Sequence, residues 1–297
     1  MVNFRNDLYP FIGIYKRLQG FDMHVLDEGR GESVVLLHGN PTWSFYYRNL
    51  VLGLRDHCRV IAPDHIGCGL SDKPSLQSYS YTLKQRVDDL EALLDQLQID
   101  GPMTLVMHDW GGMIGMAYAT RFPGRIKRLV LLNTASFHLP KTKSLPPSLW
   151  LCRHTPLGDF IIRQTGLFPI VLTRWCVCKP MPPRVREGYL SPYQSSGNRT
   201  GLWQFVKDIP LGPEDPSYEL VSGVQSKLTL FRDTPTLLLW GGKDFVFDHH
   251  FLSEWQKHLP NASVHRFPNA GHYVLEDAGD EILPLVKEFL GIHRSHD

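Results

Sequence analysis

The sequence has little of three things: long hydrophobic runs, excess charge and paired cysteines. Its longest apolar runs, such as RLVLL and TLLLW, have the length of β-strands and are too short to span a bilayer. A net charge of +1 provides no basic surplus to neutralise phosphates, which argues against nucleic acid as the main partner. Five cysteines occur without a C-x-x-C pair, so no metal site is predicted and reduced thiols are expected. The first 18 residues lack the apolar core of a signal peptide, and we therefore expect a cytoplasmic protein.

Short apolar runs alternate with segments of helical period, which predicts βα units and a mostly parallel sheet. A chain of 297 residues can form one large α/β domain or two small ones. The clearest helix starts at Thr82, where Thr82 and Gln85 have the spacing of a capping box. Other helices are expected at about 44–54, 111–121, 249–258 and 280–290. The strands are expected at 33–37, 58–62, 103–107, 128–132, 236–240 and 263–267.

The βα rhythm stops between Ala135 and about Phe231. Prolines are dense in this segment, which excludes long helices and allows several short ones. Aromatic residues are too frequent there for a disordered linker. We therefore predict a helical cap at 136–230, inserted into a core formed by 1–135 and 231–297.

The segment LVMHDWGGMIG, residues 105–115, has the pattern of a nucleophile elbow, in which a strand turns sharply into a helix. Asp109 stands at the apex, where esterases and lipases carry serine. By itself an aspartate after a strand can also be a turn former or a helix N-cap. The motif nevertheless makes Asp109 the candidate nucleophile of an α/β-hydrolase fold with a sheet of about eight strands.

Two further residues complete a possible triad in the chain order typical of this fold, which is nucleophile, acid and histidine. Asp244 follows the strand TLLLW and His272 follows the last expected strand, so both lie at carboxyl ends of strands. Asp248 is a rival for the acid, and Glu276 is a rival for the charge near His272. A turn role for Asp244 also remains open.

The segment HGNPTWSFYYR, residues 38–48, follows the first expected strand. In this fold the backbone N–H groups after the His-Gly pair and after the nucleophile form the oxyanion hole, which assigns those of Asn40 and Trp110. Asn40 and Trp110 also bring side-chain donors. The alternatives are a turn role for Asn40 and core packing for Trp110. As a pair flanking Asp109, they indicate a site that holds an anion.

A carboxylate nucleophile has a chemical consequence. Asp109 is ionised at neutral pH, so it can displace a leaving group at saturated carbon without a base. The product is an ester of the enzyme itself, and His272, oriented by Asp244, can activate water to hydrolyse it. The leaving group departs as an anion towards Asn40 and Trp110. No cofactor is required.

The motifs HDWGG and HGNP resemble those of the haloalkane dehalogenase family of α/β hydrolases, over nearly the whole chain. The resemblance implies Asp109 as nucleophile, His272 as base, and Asn40 with Trp110 as the halide-holding pair. Some members take the acid from the strand before the cap, but Asn133 stands there, so the acid is expected to be Asp244. HDWGG is shared with epoxide hydrolases, which usually carry a bulky residue in place of Asn40.

Other segments, including DHIGCGLSDKP and AGHYVLEDA, resemble the third dehalogenase subfamily, which includes β-lactone decarboxylases of olefin biosynthesis. The main prediction is a haloalkane dehalogenase that releases halide and alcohol; the nearly equal alternative is a cis-β-lactone decarboxylase. An epoxide hydrolase using Tyr189 and Tyr193, or an inactive binding protein, are minor alternatives. The resemblance also allows a chloride or bromide ion in the site, and a homo-oligomer or an assembly with pathway enzymes.

Overall fold

One sheet of eight strands organises the structure, a computed structural model that describes residues 7–292. Residues 1–6 and 293–297, at the ends of the predicted core ranges 1–135 and 231–297, lie outside the described residues. The strands are β1 (Ile14–Leu18), β2 (Phe21–Glu28), β3 (Ser33–Leu37), β4 (Arg59–Pro63), β5 (Met103–Asp109), β6 (Ile126–Thr134), β7 (Thr236–Gly241) and β8 (Ser263–Phe267).

The sheet is mostly parallel, as predicted, in the order β1-β2-β4-β3-β5-β6-β7-β8. Strands β3 to β8 are mutually parallel, β2 is antiparallel to β4, and β1 is antiparallel to β2. The central strands are apolar on both faces because helices cover both sides, and every residue of β5 is buried. The carboxyl ends of β3, β5, β7 and β8 lie along one edge, which brings the segments that follow them together.

The six predicted strands are present within two residues, and the prediction missed the β1–β2 hairpin. Strand β1 lies at the edge of the sheet with most of its side chains at least partly exposed, so it has no apolar run. The turn uses Gln19 and Gly20, both with positive φ. In β2 the polar residue His24 is buried because it bonds Asp64 at 2.9 Å. A pattern based on apolar runs does not detect either strand.

Ten α-helices accompany the sheet in the part of the chain that the structure describes. Thr82 caps α2, and its side-chain oxygen accepts a hydrogen bond from the Gln85 N–H at 3.3 Å. The last helix begins before the predicted residue 280 and has a kink at Ala278. The helices are α1 (Arg48–Leu54), α2 (Leu83–Gln96), α3 (Trp110–Arg121), α4 (Pro147–His154), α5 (Leu167–Trp175), α6 (Pro183–Leu190), α7 (Thr200–Lys207), α8 (Tyr218–Lys227), α9 (His249–His258) and α10 (Val274–Phe289).

Helices α4 to α8 lie between β6 and β7, in a segment that we call the cap. These helices have only eight to ten residues each, in agreement with the proline density. Pro147 and Pro183 occupy the first positions of α4 and α6, where a missing N–H costs no intrahelical hydrogen bond. A π-helical turn, Asp159–Gln164, precedes α5. The exact division at 136–230 stays a prediction.

Between residues 7 and 292, no helix is both long enough and apolar enough to cross a bilayer.

Candidate active site

The elbow between β5 and α3 holds Asp109 in a conformation that few non-glycine residues adopt. Asp109 ends β5 with φ 52° and ψ −127°, and α3 begins at the next residue. Such backbone strain costs about 1–3 kcal/mol and has to be held by the surroundings. The two following glycines permit it. A Cβ at Gly111 would lie 1.9 Å from the Leu37 carbonyl oxygen, and one at Gly112 would lie 1.9 Å from Thr134 Oγ1.

Two backbone N–H groups point at the Asp109 carboxylate. The Asn40 N–H donates to Oδ1 at 2.6 Å, and the Trp110 N–H also bonds the carboxylate. The loop from β3 approaches so closely that a Cβ at Gly39 would lie 2.0 Å from Oδ1. Burial raises the pKa of Asp109, while His272 and these two N–H groups oppose that increase. The N–H pair can therefore bind negative charge that develops at this position.

His272 lies between two carboxylates. Its Nδ1–H donates to Asp244 Oδ2 at 2.8 Å, and its Nε2 lies 3.6 Å from Asp109 Oδ2. All three side chains are buried. Burial lowers the pKa of His272, but Asp244 and Asp109 outweigh that effect and the pKa is raised. The ring therefore presents Nε2 to the space beside Asp109, where it can accept a proton from water.

An apolar cavity of about 870 Å³ opens from these residues into the cap. Its polar end includes Asn40, Trp110 and His272. Most of the rest is lined by aliphatic and aromatic side chains from the cap, among them Leu149, Phe168, Leu172 and Val206. A cavity of this size and character takes an apolar ligand and leaves few groups to bind a polar one.

A profile described as "Alpha/beta hydrolase family" matches residues 34–285, which includes every strand of the parallel part of the sheet apart from the first residue of β3. The chain belongs to the alpha/beta hydrolase family.

Two kinds of enzyme are similar to this α/β hydrolase over most of its length. A cis-3-alkyl-4-alkyloxetan-2-one decarboxylase of Shewanella oneidensis is 53% identical over 284 residues, which is 95% of this chain and 89% of that protein. A decarboxylase of the same name from Xanthomonas campestris is 45% identical, covering 91% and 93%. A haloalkane dehalogenase of Mycolicibacterium paratuberculosis is 33% identical, covering 92% and 91%. Among solved structures, the haloalkane dehalogenase DatA from Agrobacterium tumefaciens C58 has a TM-score of 0.84 at 25% identity, covering 95% and 97%.

These relatives confirm the predicted fold and the predicted relationship, and they make this α/β hydrolase an enzyme. They do not test the roles of individual residues. The halide ion, the oligomer and the cytoplasmic location stay predictions.

The alternative acid candidates of the α/β hydrolase have other partners. Asp248 caps α9 by accepting from the His250 N–H at 3.0 Å, and it pairs with Lys143 at 2.7 Å. Glu276 receives two hydrogen bonds from Arg48, at 2.6 and 2.9 Å. The geometry therefore places Asp244 alone against the His272 Nδ1–H among the described carboxylates.

Asn133, at the end of β6, supports the turn that carries the acid. Its Nδ2 donates to the carbonyl oxygens of Gly241 and Phe247 at 3.1 and 3.3 Å, and its Oδ1 accepts from the Gly241 N–H at 2.7 Å. Asn133 thus joins β6 to the loop after β7. This contact explains why an amide, with both donors and an acceptor, suits the position.

Three histidines that the sequence reasoning passed over hold the site loops. His108 Nε2–H donates to the His272 carbonyl oxygen at 2.8 Å, which fixes the backbone of that residue. His38 Nδ1–H donates to the Gly39 carbonyl at 2.8 Å, and its Nε2 accepts from the His65 N–H at 3.0 Å. Burial lowers the pKa of His38 and of His108, so both rings are neutral. The available signals were the motifs themselves, because His108 lies in HDWGG, His38 in HGNP and His65 in DHIGCGLSDKP.

The side chains of Asn40 and Trp110 both line the cavity. Asn40 Nδ2 donates to the Leu202 carbonyl oxygen of the cap at 3.1 Å, which uses one of its two hydrogens. Trp110 packs against Phe205 of α7 at a ring distance of 5.1 Å. The remaining Asn40 hydrogen and the indole N–H are the donors available to an anion in the cavity.

Tyr189 and Tyr193, the residues that an epoxide hydrolase would need, are engaged elsewhere. Tyr189 donates to Glu276, and Tyr193 donates to the Thr42 carbonyl at 3.2 Å. Neither tyrosine lines the cavity. Neither of these two phenols is therefore placed to protonate an alkoxide at Asp109.

Proposed function

We propose that this α/β hydrolase decarboxylates a cis-3-alkyl-4-alkyloxetan-2-one, a β-lactone with two alkyl chains, to an olefin and carbon dioxide. The observation that carries the proposal is the 53% identity, across 95% of the chain, with a relative named for that reaction. The apolar cavity supports it, because two alkyl chains need extended apolar surroundings. The carboxylate at the elbow supports it because a β-lactone has a saturated ring carbon that a carboxylate can attack.

The first step uses Asp109 as nucleophile. Its Oδ1 is held by the Asn40 N–H, so Oδ2 is the oxygen available for attack. Oδ2 bonds to C4 of the lactone as the C4–O ring bond breaks, and strain relief in the four-membered ring assists the step. The ring oxygen leaves as part of a carboxylate, and the donors of Asn40 and Trp110 receive this negative charge.

The second step regenerates Asp109. The bond between C3 and the carboxylate breaks, its electron pair forms the C3–C4 double bond, and the ester C4–O bond breaks to return Asp109 as a carboxylate. Carbon dioxide and an olefin leave, and no water is consumed. Inversion at C4 followed by an anti fragmentation keeps both alkyl groups on the same side, so a cis-lactone gives a cis-olefin. A protonated His272, 3.6 Å from Oδ2, would stabilise the returning charge.

Hydrolysis of a haloalkane is the second candidate, and the dehalogenase relative at 33% identity and the DatA structure favour it. In that reaction halide leaves in the first step, and His272 then activates water to cleave the alkyl ester. Both reactions share the covalent ester on Asp109. They differ in whether the ester fragments or is hydrolysed.

One comparison of substrates tests the proposal. Purified protein is given a cis-dialkyl β-lactone and a 1-bromoalkane of similar chain length, and olefin, alcohol and bromide are measured. We expect a higher kcat/KM for the lactone and a cis-olefin as product. The Asp109→Asn variant, which keeps the shape but removes the anionic nucleophile, should lose both reactions. A higher kcat/KM for the bromoalkane would favour the second candidate, and turnover of neither substrate by folded protein would sink both.

A further inference from the structure

The outer surface of the cap carries an unusual concentration of exposed apolar side chains. Twelve large hydrophobic residues among residues 7–292 are exposed, and six of them fall within residues 150–175. We call this surface the mouth face; it consists of Trp150, Leu157, Phe160, Leu167, Ile170 and Trp175. These residues lie on α4, the π-helical turn, α5 and the segments between them, and the π-helical turn packs against both α4 and α5. Scattered apolar residues need no explanation, but a contiguous group of them indicates an interaction surface.

Helix α5 shows why the mouth face needs a cover. Seven of its nine residues are apolar, with the sequence LFPIVLTRW. Its inner side, including Phe168 and Leu172, lines the cavity, while Ile170 on the outer side is exposed. A helix that is apolar all round is normally buried on all sides. Here Ile170 is 38% exposed, so the outer side is only partly covered by the described residues.

The mouth face borders the cavity. Leu167 and Trp175 both line the cavity, yet they are 49% and 74% exposed. Phe245, in the loop after β7, lines the cavity and is 37% exposed. Whatever covers the mouth face therefore stands at the entrance of the substrate cavity.

The charge around the mouth face identifies the kind of cover. Residues 141–186 contain eight lysine and arginine residues and a single acidic residue, Asp159. Four of the basic residues pair with carboxylates, and the others are Lys141, Arg174, Lys179 and Arg186. Arg174 lies on α5 itself, and within residues 7–292 no carboxylate pairs with Arg174, Lys141 or Arg186. Two copies that each present these unpaired basic residues would repel each other, which disfavours a symmetric contact with a second copy. Basic residues interleaved with tryptophan and aliphatic side chains match an anionic lipid surface.

We propose that the mouth face docks on anionic phospholipid bilayers and takes apolar substrate directly from the lipid into the cavity. The inference rests on the proposed function only in that the substrate is apolar. Tryptophan at the lip suits the headgroup region, where an apolar ring with one N–H donor is favoured. An apolar substrate then passes from acyl chains to an apolar cavity without crossing water.

Vesicle co-sedimentation of the full chain tests the proposal without using turnover. Vesicles of pure phosphatidylcholine are compared with equimolar phosphatidylcholine and phosphatidylglycerol. We expect binding to the anionic vesicles that weakens as salt is added. The Trp150→Glu/Ile170→Glu variant, whose two residues do not line the cavity, should bind about tenfold or more weakly. Leu230→Glu is the matched control, since Leu230 is 59% exposed but precedes the amino end of β7, away from the site, and it should bind like wild type.

A second variant isolates the charge. Lys141→Gln/Arg186→Gln should weaken binding to anionic vesicles and reduce its dependence on salt. Unchanged kcat/KM on a short, water-soluble bromoalkane or lactone shows that each variant is folded. Vesicle binding is measured without turnover, so it would still be observed if the proposed function were wrong. The proposal is overturned if wild type ignores anionic vesicles or if the Glu variant binds as well as wild type. It is also overturned if light scattering shows that the Glu variant dissociates a wild-type oligomer, because another copy would then cover the mouth face.

Discussion

At the residue scale, the site combines groups that sequence motifs identify with groups that they do not. Asp109, His272 and Asn40 follow strands in recognisable motifs, so their placement at one edge of the sheet could be predicted. The Arg48–Glu276 pair could not, because 228 positions separate the two residues and neither has a motif. Its bidentate geometry, with Tyr189 of the cap also bonded to Glu276, depends on the complete fold.

His272→Ala should separate the two candidate reactions. In the proposed mechanism Asp109 attacks without a base, so a bromoalkane should still alkylate the variant, but hydrolysis should lose general base catalysis worth about 10²–10⁴-fold. The alkyl ester should therefore accumulate, and mass spectrometry should find one alkyl group on the peptide that contains Asp109. With a β-lactone the ester can fragment without water, so olefin should form and little adduct should remain. An Asp109→Asn/His272→Ala control should carry no adduct with either substrate.

The pH dependence of kcat should also differ between the substrates. In the second candidate reaction hydrolysis would need neutral His272, whose pKa is raised above 6.5, so dehalogenation should fall as pH drops through that raised value. Asp244 continues to raise the pKa of His272 after Asp109 is esterified and has lost its charge. Decarboxylation removes no proton from water, so its acid limb should follow Asp109, whose pKa burial raises from 3.8. We expect decarboxylation to persist at lower pH, and superimposable acid limbs would contradict this division of labour.

At the element scale, the sequence predicted the parallel strands and most core helices because each has a strong periodic pattern. It missed the β1–β2 hairpin, whose residues are stabilised by pairing and by the buried His24–Asp64 contact rather than by an apolar run. It also began the last helix late, because the segment before residue 280 is kinked at Ala278. Tertiary contacts determine the hairpin and the start of α10, so the local sequence pattern does not predict them.

The elbow helix gives a prediction at this scale. In Gly111→Ala the new Cβ would lie 1.9 Å from the Leu37 carbonyl oxygen, and because this is backbone the strand itself would have to move. We expect a loss of about 3 kcal/mol or more in the free energy of unfolding, together with loss of activity. Gly279→Ala in α10 is the matched control, since its Cβ meets nothing within 4 Å. Helix propensity predicts that the control is neutral or up to about 1 kcal/mol more stable by denaturant unfolding.

At the scale of the whole molecule, Asp208 connects the cap to the core. It follows α7 and accepts from the Leu83 N–H at the start of α2 at 2.7 Å, and from Ser217 Oγ at 2.7 and 2.8 Å. Burial raises the pKa of Asp208 to about 6, although these hydrogen bonds oppose the shift. Between about pH 4 and 6, the Asp208 carboxyl is therefore mostly protonated in the folded state and mostly ionised in the unfolded state.

This proton makes the stability of the whole fold depend on pH in a defined direction. Because the folded pKa exceeds the unfolded value of 3.8, wild type should gain stability relative to Asp208→Asn as pH falls from 7 to about 4. A shift of about two pKa units corresponds to about 3 kcal/mol, measured as the difference in free energy of unfolding. Asp215→Asn serves as the control. Because the pKa of Asp215 is lowered in the folded state, wild type should lose stability relative to this variant as pH falls.

The apolar cavity of about 870 Å³ has a kinetic consequence. In the proposed reaction, decarboxylation removes the only polar part of the substrate, so the olefin would suit the cavity lining at least as well as the lactone does. The Asn40 and Trp110 donors would lose their anion when carbon dioxide forms, and the apolar side chains of the lining would then retain the hydrocarbon. Departure of the olefin should therefore limit turnover, and a rapid first release of carbon dioxide should precede a slower steady state. An added bilayer or detergent, by dissolving the hydrocarbon, should raise the steady rate without changing the initial burst.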